Sequence, residues 1–231
     1  MSARIDHLVI VADTLDQGTQ WCEAALGALP VAGGRHALMS THNRLLAISS
    51  ERFPQCYLEV IAIDPDAPPP ARPRWFGMDG AALREAVRES PRLVHAVART
   101  QMIEMLRWGL INCGIHPGDP IAAHRDTPAG RLSWRIMLRG DGTLACDGAV
   151  PTLIEWQGPH PSERLPASGV SLRELELRGL PSRAADVLKL AAVRTAPSLN
   201  AAAPQPTWCA TFDTPRGSVT LPSWPCATAA P

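Results

Sequence analysis

The sequence predicts an α+β fold: two βαβββ modules forming a cup-shaped mixed sheet, plus a partial third βαββ unit. The first observation is a repeat. Ile5-Asp6-His7-Leu8-Val9-Ile10-Val11 near the start and Leu93-Val94-His95-Ala96-Val97-Ala98-Arg99 in the middle are both short apolar strand patterns with one histidine. The second is that each leads into a helical pattern ending at a glycine, Gly27 or Gly114. The histidine-to-glycine intervals nearly agree, at 20 (27 − 7) and 19 (114 − 95) residues. The third is a later apolar run in each copy with one carboxylate, Glu59 within 56–63 and Glu155 within 151–156.

In the first strand Ile5, His7 and Val9 alternate with Asp6, Leu8 and Ile10, so His7 is expected on the face opposite Leu8. Thr14 to Leu26 reads as a helix, with Leu15, Cys22, Ala25 and Leu26 on one stripe, Asp13 or Thr14 as cap and Gly27 as the left-handed end. Two short runs follow, around 30–32 and 43–49, before a strand with Tyr57, Glu59 and Ile61 on one face. The connector from Pro65 to Pro73 holds five prolines in nine residues, too many missing donors for a sheet interior. A short helix is expected over Gly80 to Glu89.

The second copy repeats the order. Leu93, His95 and Val97 are expected on one strand face, and Met102, Ile103, Leu106 and Leu110 on a helical stripe. A strand over Leu132 to Leu138 follows a turn at Pro128 to Gly130, and a last strand puts Leu153, Glu155 and Gln157 on one face. The third unit reads as a strand over Ser171 to Arg178 with Glu174 and Glu176 on a wet face, a helix over Pro181 to Ala192, and a hairpin from Trp208 to Leu221. The expected divisions are 1–64, 65–90, 91–160, 161–221 and a mobile tail, 222–231.

Composition narrows the function classes. Lys plus Arg equals Asp plus Glu at 22 each, so no net field favours nucleic acid or an anionic membrane. No apolar stretch approaches the roughly 18–20 residues of a membrane span, and the N-terminus lacks a signal-peptide pattern. A cytoplasmic protein with a small-molecule partner is expected. The six cysteines, at 22, 56, 113, 146, 209 and 226, form no CxxC pair and are expected to be reduced thiols. Serine-hydrolase, phosphate-loop, dinucleotide and zincin signatures are absent.

Two modules packed side by side would direct His7, Glu59, His95 and Glu155 into one cup. Two imidazoles and two carboxylates suit a divalent metal such as Zn²⁺, Ni²⁺, Mn²⁺ or Fe²⁺. An arginine is the alternative partner for either glutamate, and Arg44, Arg99 and Arg135 are available. His36, His116, His124 and His160 fall in or near turns, where contact with solvent is enough to explain an imidazole. Trp75, Trp134 and Trp156 are candidates to line a pocket, whereas Trp21 and Trp108 sit on expected helices and read as packing residues.

The β-α-β-β-β duplication, with Ile5-Asp6-His7 and Tyr57-Leu58-Glu59 in its first copy, resembles the vicinal oxygen chelate superfamily and its glyoxalase-like domains. Gly33-Gly34-Arg35-His36, Thr41-His42-Asn43-Arg44-Leu45-Leu46, Arg74-Trp75-Phe76 and Leu153-Ile154-Glu155-Trp156 are similar to runs in those domains. The resemblance covers about residues 4 to 160. It implies a metal held by His7, Glu59, His95 and Glu155, with Glu59 or Glu155 doubling as general base. His42 and Arg44 in the second run, with Trp75 and Trp134, are the expected substrate contacts. The long second-copy loops and the third unit depart from a minimal glyoxalase.

Three functions stay open. The first is a metal-dependent lyase or isomerase that stabilises an enediolate. The second is a metal-free small-molecule binding protein of the same fold, and the third an Fe(II) ring-cleaving dioxygenase using two histidines and one carboxylate. The site is expected to form within one chain, even in a homodimer, with the third unit covering a sheet edge.

Overall fold

The computed structural model describes residues 2–127, 130–198 and 207–225. The first module runs β1 (Arg4–Val11), α1 (Leu15–Leu26), β2 (Val31–His36), β3 (Thr41–Ala47) and β4 (Tyr57–Ile63). The connector carries α2 (Ala81–Glu89). The second module runs β5 (Arg92–Arg99), α3 (Ile103–Asn112), β6 (Asp119–Thr127), β7 (Gly130–Leu138) and β8 (Thr152–Gln157). The third unit contributes β9 (Ser171–Arg178), α4 (Ser182–Leu188), β10 (Arg194–Ala196), β11 (Trp208–Thr214) and β12 (Gly217–Pro222).

Both modules merge into one eight-stranded sheet, ordered β2-β3-β4-β1-β5-β8-β7-β6. At its centre β1 pairs antiparallel with β5, His7 opposite Val97 and Val9 opposite His95, so the two histidines lie symmetrically about the Leu8–Ala96 pair. Each module then repeats one parallel pairing, β1 with β4 and β5 with β8. The sheet curls strongly: Arg125 of β6, at one edge, donates from Nη1 to Asn43 Oδ1 of β3, near the other, at 3.1 Å.

Three apolar clusters fix this shape. On the convex side Leu8, Ile10, Leu58 and Val60 pack with Cys22 and Leu26 of α1 and with Leu172, Leu175, Trp208 and Phe212 of the third unit. Thr14 caps α1 by accepting from Gln17 N, and Gly27 ends it in the left-handed conformation. A second convex cluster joins Ile103, Leu106 and Leu110 of α3 to Leu153 and to Ala184 and Leu188 of α4. The concave side holds Val9, Val11, Ile61, Val97, Trp134, Ile136 and Ile154, filled by Trp75, Phe76 and Met78 of the connector and Leu83 and Val87 of α2.

The third unit forms its own sheet, β10-β9-β11-β12, and covers the convex face rather than the expected sheet edge. Its helix stops at Leu188, not Ala192, because Lys189 turns left-handed at φ 45° and frees the chain to pair β10 with β9. Glu176 is buried, not wet, and is ion-paired with Arg178 and Arg194. Strand β6 is the strand that the repeated order requires but the sequence does not delimit, since Pro120 and mixed polarity obscure it; its place at an edge tolerates that proline. Ser223 and Trp224 are docked, contrary to a mobile tail from 222: Ser223 Oγ accepts from Thr207 N and Trp208 N, and Trp224 N donates to Leu93 O. Residues 226–231 and the expected turn residues Pro128 and Ala129 lie outside the described residues. Trp108 is 57% exposed on α3, so it does not pack as expected.

Phe212 is fully buried between the two sheets. Phe212→Ala should cost about 3–5 kcal/mol, the range for a truncated core aromatic. Urea unfolding measures it, and a cost under about 1 kcal/mol would show that the third unit does not stabilise the cup.

Candidate functional site

The site begins with an irregularity in β1. The β1–β5 register shifts between Ile5 and His7, leaving Asp6 as an extra residue. Simple alternation puts Asp6 on the face opposite His7. With the bulge, its carboxylate lies beside the His7 ring: Oδ1 accepts from His7 Nδ1 at 2.6 Å. Its other oxygen, Oδ2, accepts from His160 Nε2 at 2.8 Å and Trp156 Nε1 at 2.9 Å.

Asp6 is 0% exposed, so burial alone would raise its pKa. The hydrogen bonds from His160 and His7, with the pull of those rings, outweigh burial and hold the carboxyl well below the usual range. An ionised acceptor requires protons on its partners. Hence Nδ1 of His7 carries hydrogen, and Nε2 is left to face Glu59. His160 is oriented in turn: its Nδ1 accepts from Ser162 N at 3.2 Å and meets Ser162 Oγ at 2.7 Å.

His7 stacks on Tyr57, ring centroids 4.7 Å apart, and its Nε2 lies 3.6 Å from Glu59 Oε2. That separation exceeds a direct hydrogen bond. The other oxygen, Oε1, accepts from Asn43 Nδ2 at 2.5 Å, while Asn43 Oδ1 accepts from Gly34 N at 2.8 Å and from Arg125 Nη1. Asn43 therefore bridges a carboxylate and a guanidinium. A Cβ on Gly33 would fall 2.0 Å from Asn43 Oδ1, so this close approach requires glycine.

These groups line one narrow concavity with His36, Trp75, Phe76, Trp134, Ile136, Ile154 and Trp156. His36 is buried against Trp75 and Trp134, and burial pushes its imidazole down to about 4. Phe76, at φ 57°, adopts the left-handed region that non-glycine residues rarely occupy, and this turn lays Trp75 and Phe76 on the cup.

Of the expected site residues, His7, Glu59, Trp75 and Trp134 come together here. His42 and Arg44 do not. On β3 the inward positions are Thr41, Asn43 and Leu45, and Arg44 pairs outside with Asp16 of α1 at 3.1 Å. His95 is on the concave face but closed off: its Nε2 accepts from Thr152 N at 3.0 Å, and burial pushes its imidazole down to about 3. Glu155 lies on the convex side, accepting from Arg135 and from Ile103 N at the start of α3. The available arginine it meets is thus Arg135, whereas Arg99 donates to backbone carbonyls of Ile5, Pro54 and Gln55.

The symmetry explains Glu155. Glu59 pairs with Val9, two residues after His7; the residue pairing with Val97, two after His95, is Thr152. Thr152 Oγ1 lies 3.2 Å from His95 Nε2. The carboxylate counterpart is therefore a threonine, and Glu155, three positions on (155 − 152), points through the sheet. Four ligands for one ion do not converge, and among the described residues no three His, Cys, Asp or Glu side chains are arranged to hold a metal. The donor set does not fit the implied ion.

Asp6, His36, Asn43, Arg125 and His160 are site residues that sequence reasoning missed. The Asp6-His7 dipeptide and the Asn43 position in the Thr41–Leu46 run were the available signals. Arg125 and His160 had none, because they arrive from a distant edge and a late loop.

A sequence profile for a glyoxalase-like domain matches residues 5–191. A hypothetical protein from Staphylococcus aureus is similar in structure over 95% of this chain and 84% of its own, at 15% identity and a TM-score of 0.54. A variant of Streptomyces coelicolor methylmalonyl-CoA epimerase in complex with 2-nitronate-propionyl-CoA covers 68% of this chain and 100% of its own, at 13% identity and a TM-score of 0.44. The methylmalonyl-CoA epimerase from Mycobacterium tuberculosis covers 67% and 88%, at 14% identity and a TM-score of 0.40. No curated protein matches the chain.

His36 and His95 stay neutral when folded, down to about pH 4 and 3, whereas in the unfolded chain they take up protons near 6.5. The unfolded state therefore binds more protons below that value. Stability should be full above about pH 6.5 and fall as pH drops towards 4. Urea midpoints between pH 7.5 and 4.5 check this; a flat profile would contradict buried neutral imidazoles.

Proposed function

Because the chain belongs to the glyoxalase-like domain family, within the vicinal oxygen chelate superfamily, we propose that its cup binds a small oxygen-bearing compound and moves a proton at the carbon beside its carbonyl. The chemistry is of the isomerase or lyase type. One observation carries this reading: buried Asp6 fixes the proton of His7 on Nδ1 and presents Nε2 to Glu59 Oε2 across 3.6 Å, inside an aromatic-walled cavity. In this reading Glu59 Oε2 takes the proton from the substrate carbon, and the C–H electron pair moves towards the carbonyl oxygen. Arg125 faces the oxyanion that forms, where low dielectric strengthens the attraction. His7 Nε2, 3.6 Å from Glu59 Oε2, exchanges the proton with Glu59 through one bridging water, so that it returns to the opposite face or a neighbouring atom.

Proton uptake by Glu59 uses no ion. The engagement of His95 and Glu155 elsewhere argues against the four-ligand set and against a two-histidine, one-carboxylate iron centre. The same observation favours, as second reading, a metal-free binding protein.

Exchange of α-hydrogens in D₂O, followed by ¹H NMR over small aldehydes, ketones and 2-oxo acids, separates the two. An exchanging compound should lose at least about 100-fold in rate with Glu59→Gln, within the usual contribution of a general base. His7→Asn should also slow it. An undiminished rate in Glu59→Gln would remove Glu59 as base, while tight binding without exchange would support the binding protein. Protein equilibrated with Zn²⁺, Ni²⁺ or Mn²⁺ and desalted should retain well under one ion per chain. A full equivalent lost in both His7→Ala and Glu59→Ala would restore the metal reading.

A further inference from the structure

The cup leaves about 20 Å³ of open space, room for one water and too little for an organic compound. A substrate therefore reaches Glu59 only after a wall moves. The eight strands are held edge to edge by their ladders, whereas the segment 72–78 of the connector belongs to neither sheet. It nevertheless fills the concave side, with Trp75, Phe76 and Met78 at 5%, 4% and 2% exposed.

This wall is buried without being well matched. Among the described residues six buried side-chain nitrogens lack a hydrogen-bond partner, and four of them gather here. Arg72 Nε, Arg74 Nε and Trp75 Nε1 lie on the segment, and Arg125 Nε belongs to the cup that Trp75 covers. A donor buried without an acceptor forfeits its hydration, so each of these disfavours the closed position, and opening returns the donors of the segment to water. Two further features weaken the seat. Phe76 is strained at φ 57°, and a second void of about 20 Å³ borders Trp75 and Phe76 together with Arg72, Pro73, Met137 and Leu144. Against them stand the apolar burial of the rings and a few bonds. Gly77 N donates to Gly142 O at 3.0 Å, and Arg72 Nη2 to Arg139 O at 3.3 Å. At the far end the Asp79 carboxylate clamps Arg74, accepting from its N at 2.7 Å and its Nη1 at 2.6 Å.

We infer that the segment 72–78 is the movable wall of the cup, and that it admits the substrate by swinging Trp75 and Phe76 off the concave face. Relaxation of Phe76 out of the left-handed region supplies the turn, and Gly77 beside it, at φ 66°, accepts the change without strain. The inference rests on the proposed function only in taking the cup as the place where a compound binds.

Native-state hydrogen exchange on the full chain tests the motion. The Gly77 and Met78 amides, both hydrogen-bonded, should show protection at least about 100-fold lower than the amides of β1 and β5, and should exchange independently of low urea, as a local opening does. Asp79→Ala should lower that protection several-fold further and leave β1 and β5 unchanged. Access is tested by diethyl pyrocarbonate, which acylates accessible neutral imidazoles. Buried His36, whose ring meets Trp75 at 4.9 Å, should react several-fold faster in Asp79→Ala than in the parent, while exposed His116 reacts at one rate in both. If Asp79→Ala does not fold, Gly142→Ala serves, because a Cβ there falls 2.5 Å from Arg74 O and presses the segment off its seat. Segment amides as protected as the central strands, or His36 reactivity unchanged where exchange in the segment has risen, would overturn the inference. Neither readout uses a substrate. An opening segment in a protein that exchanges no α-hydrogen would retain this inference and discard the catalytic one, and α-hydrogen exchange with a rigid segment would do the reverse.

Discussion

The buried Asp6 carboxylate is the constraint on which the cup depends. A charge with no solvent exposure is tolerable only when its oxygens are bonded, and here three donors from three parts of the chain converge on it: His7 beside it, Trp156 on β8 and His160 beyond β8. That requirement ties the first strand of the first module to the last strand of the second. It also settles which nitrogen of His7 carries hydrogen, and therefore what Glu59 meets. Removing Asp6 would leave three donors unmatched, two of them buried; removing one donor would leave a buried anion under-bonded. Either change disturbs the fold and the site together, because the same bonds serve both.

Much of the architecture was legible because apolar periodicity reports burial directly. The repeated strand-helix-glycine pattern marks both modules, and the alternation of Tyr57, Glu59 and Ile61 describes the concave face of β4 correctly. The site was less legible, since alternation tells which residues share a face but not which face is concave. On β3 the family-like run drew attention to His42 and Arg44, while the cup takes Thr41 and Asn43. On β8 the eye goes to Glu155, the only carboxylate in the strand, yet Ile154 and Trp156 point inward. Both errors are slips of one position, which in a strand turns every side chain through the sheet. Asp6 was misplaced for a different reason: a bulge breaks the alternation without leaving a glycine or proline to mark it.

Long-range contacts account for what remained. Arg125 reaches Asn43, 82 residues away, only because the sheet curls. The third unit shows the same limit. Its alternating leucines identify a strand, but not that Trp208 and Phe212 lie over the convex face against α1 and the central strands. Docking a second sheet there removes from water an apolar face that a two-module cup would leave open.

The two modules are symmetric in backbone and unequal in chemistry, and on the proposed function that inequality decides which half carries the reaction. About the Leu8–Ala96 pair, His7 and His95 are equivalent, as are Glu59 and Thr152. In the first half, His7 gives one nitrogen to Asp6, and the other faces a carboxylate in the cavity. In the second, His95 accepts a backbone N–H at the nitrogen nearest Thr152 and is packed against Phe76 and Trp208, with no route to a substrate. Burial suppresses its protonation, so it is a neutral packing group. The second module instead supplies Trp134, Ile136, Ile154 and Trp156 as wall, and Arg125 as a cation reaching across to Asn43. On the proposed function, a proton-transfer group and an oxygen-binding group joined through Asn43 can act on adjacent atoms of one bound molecule, whereas two identical half-sites would present bases to both ends and a counter-charge to neither.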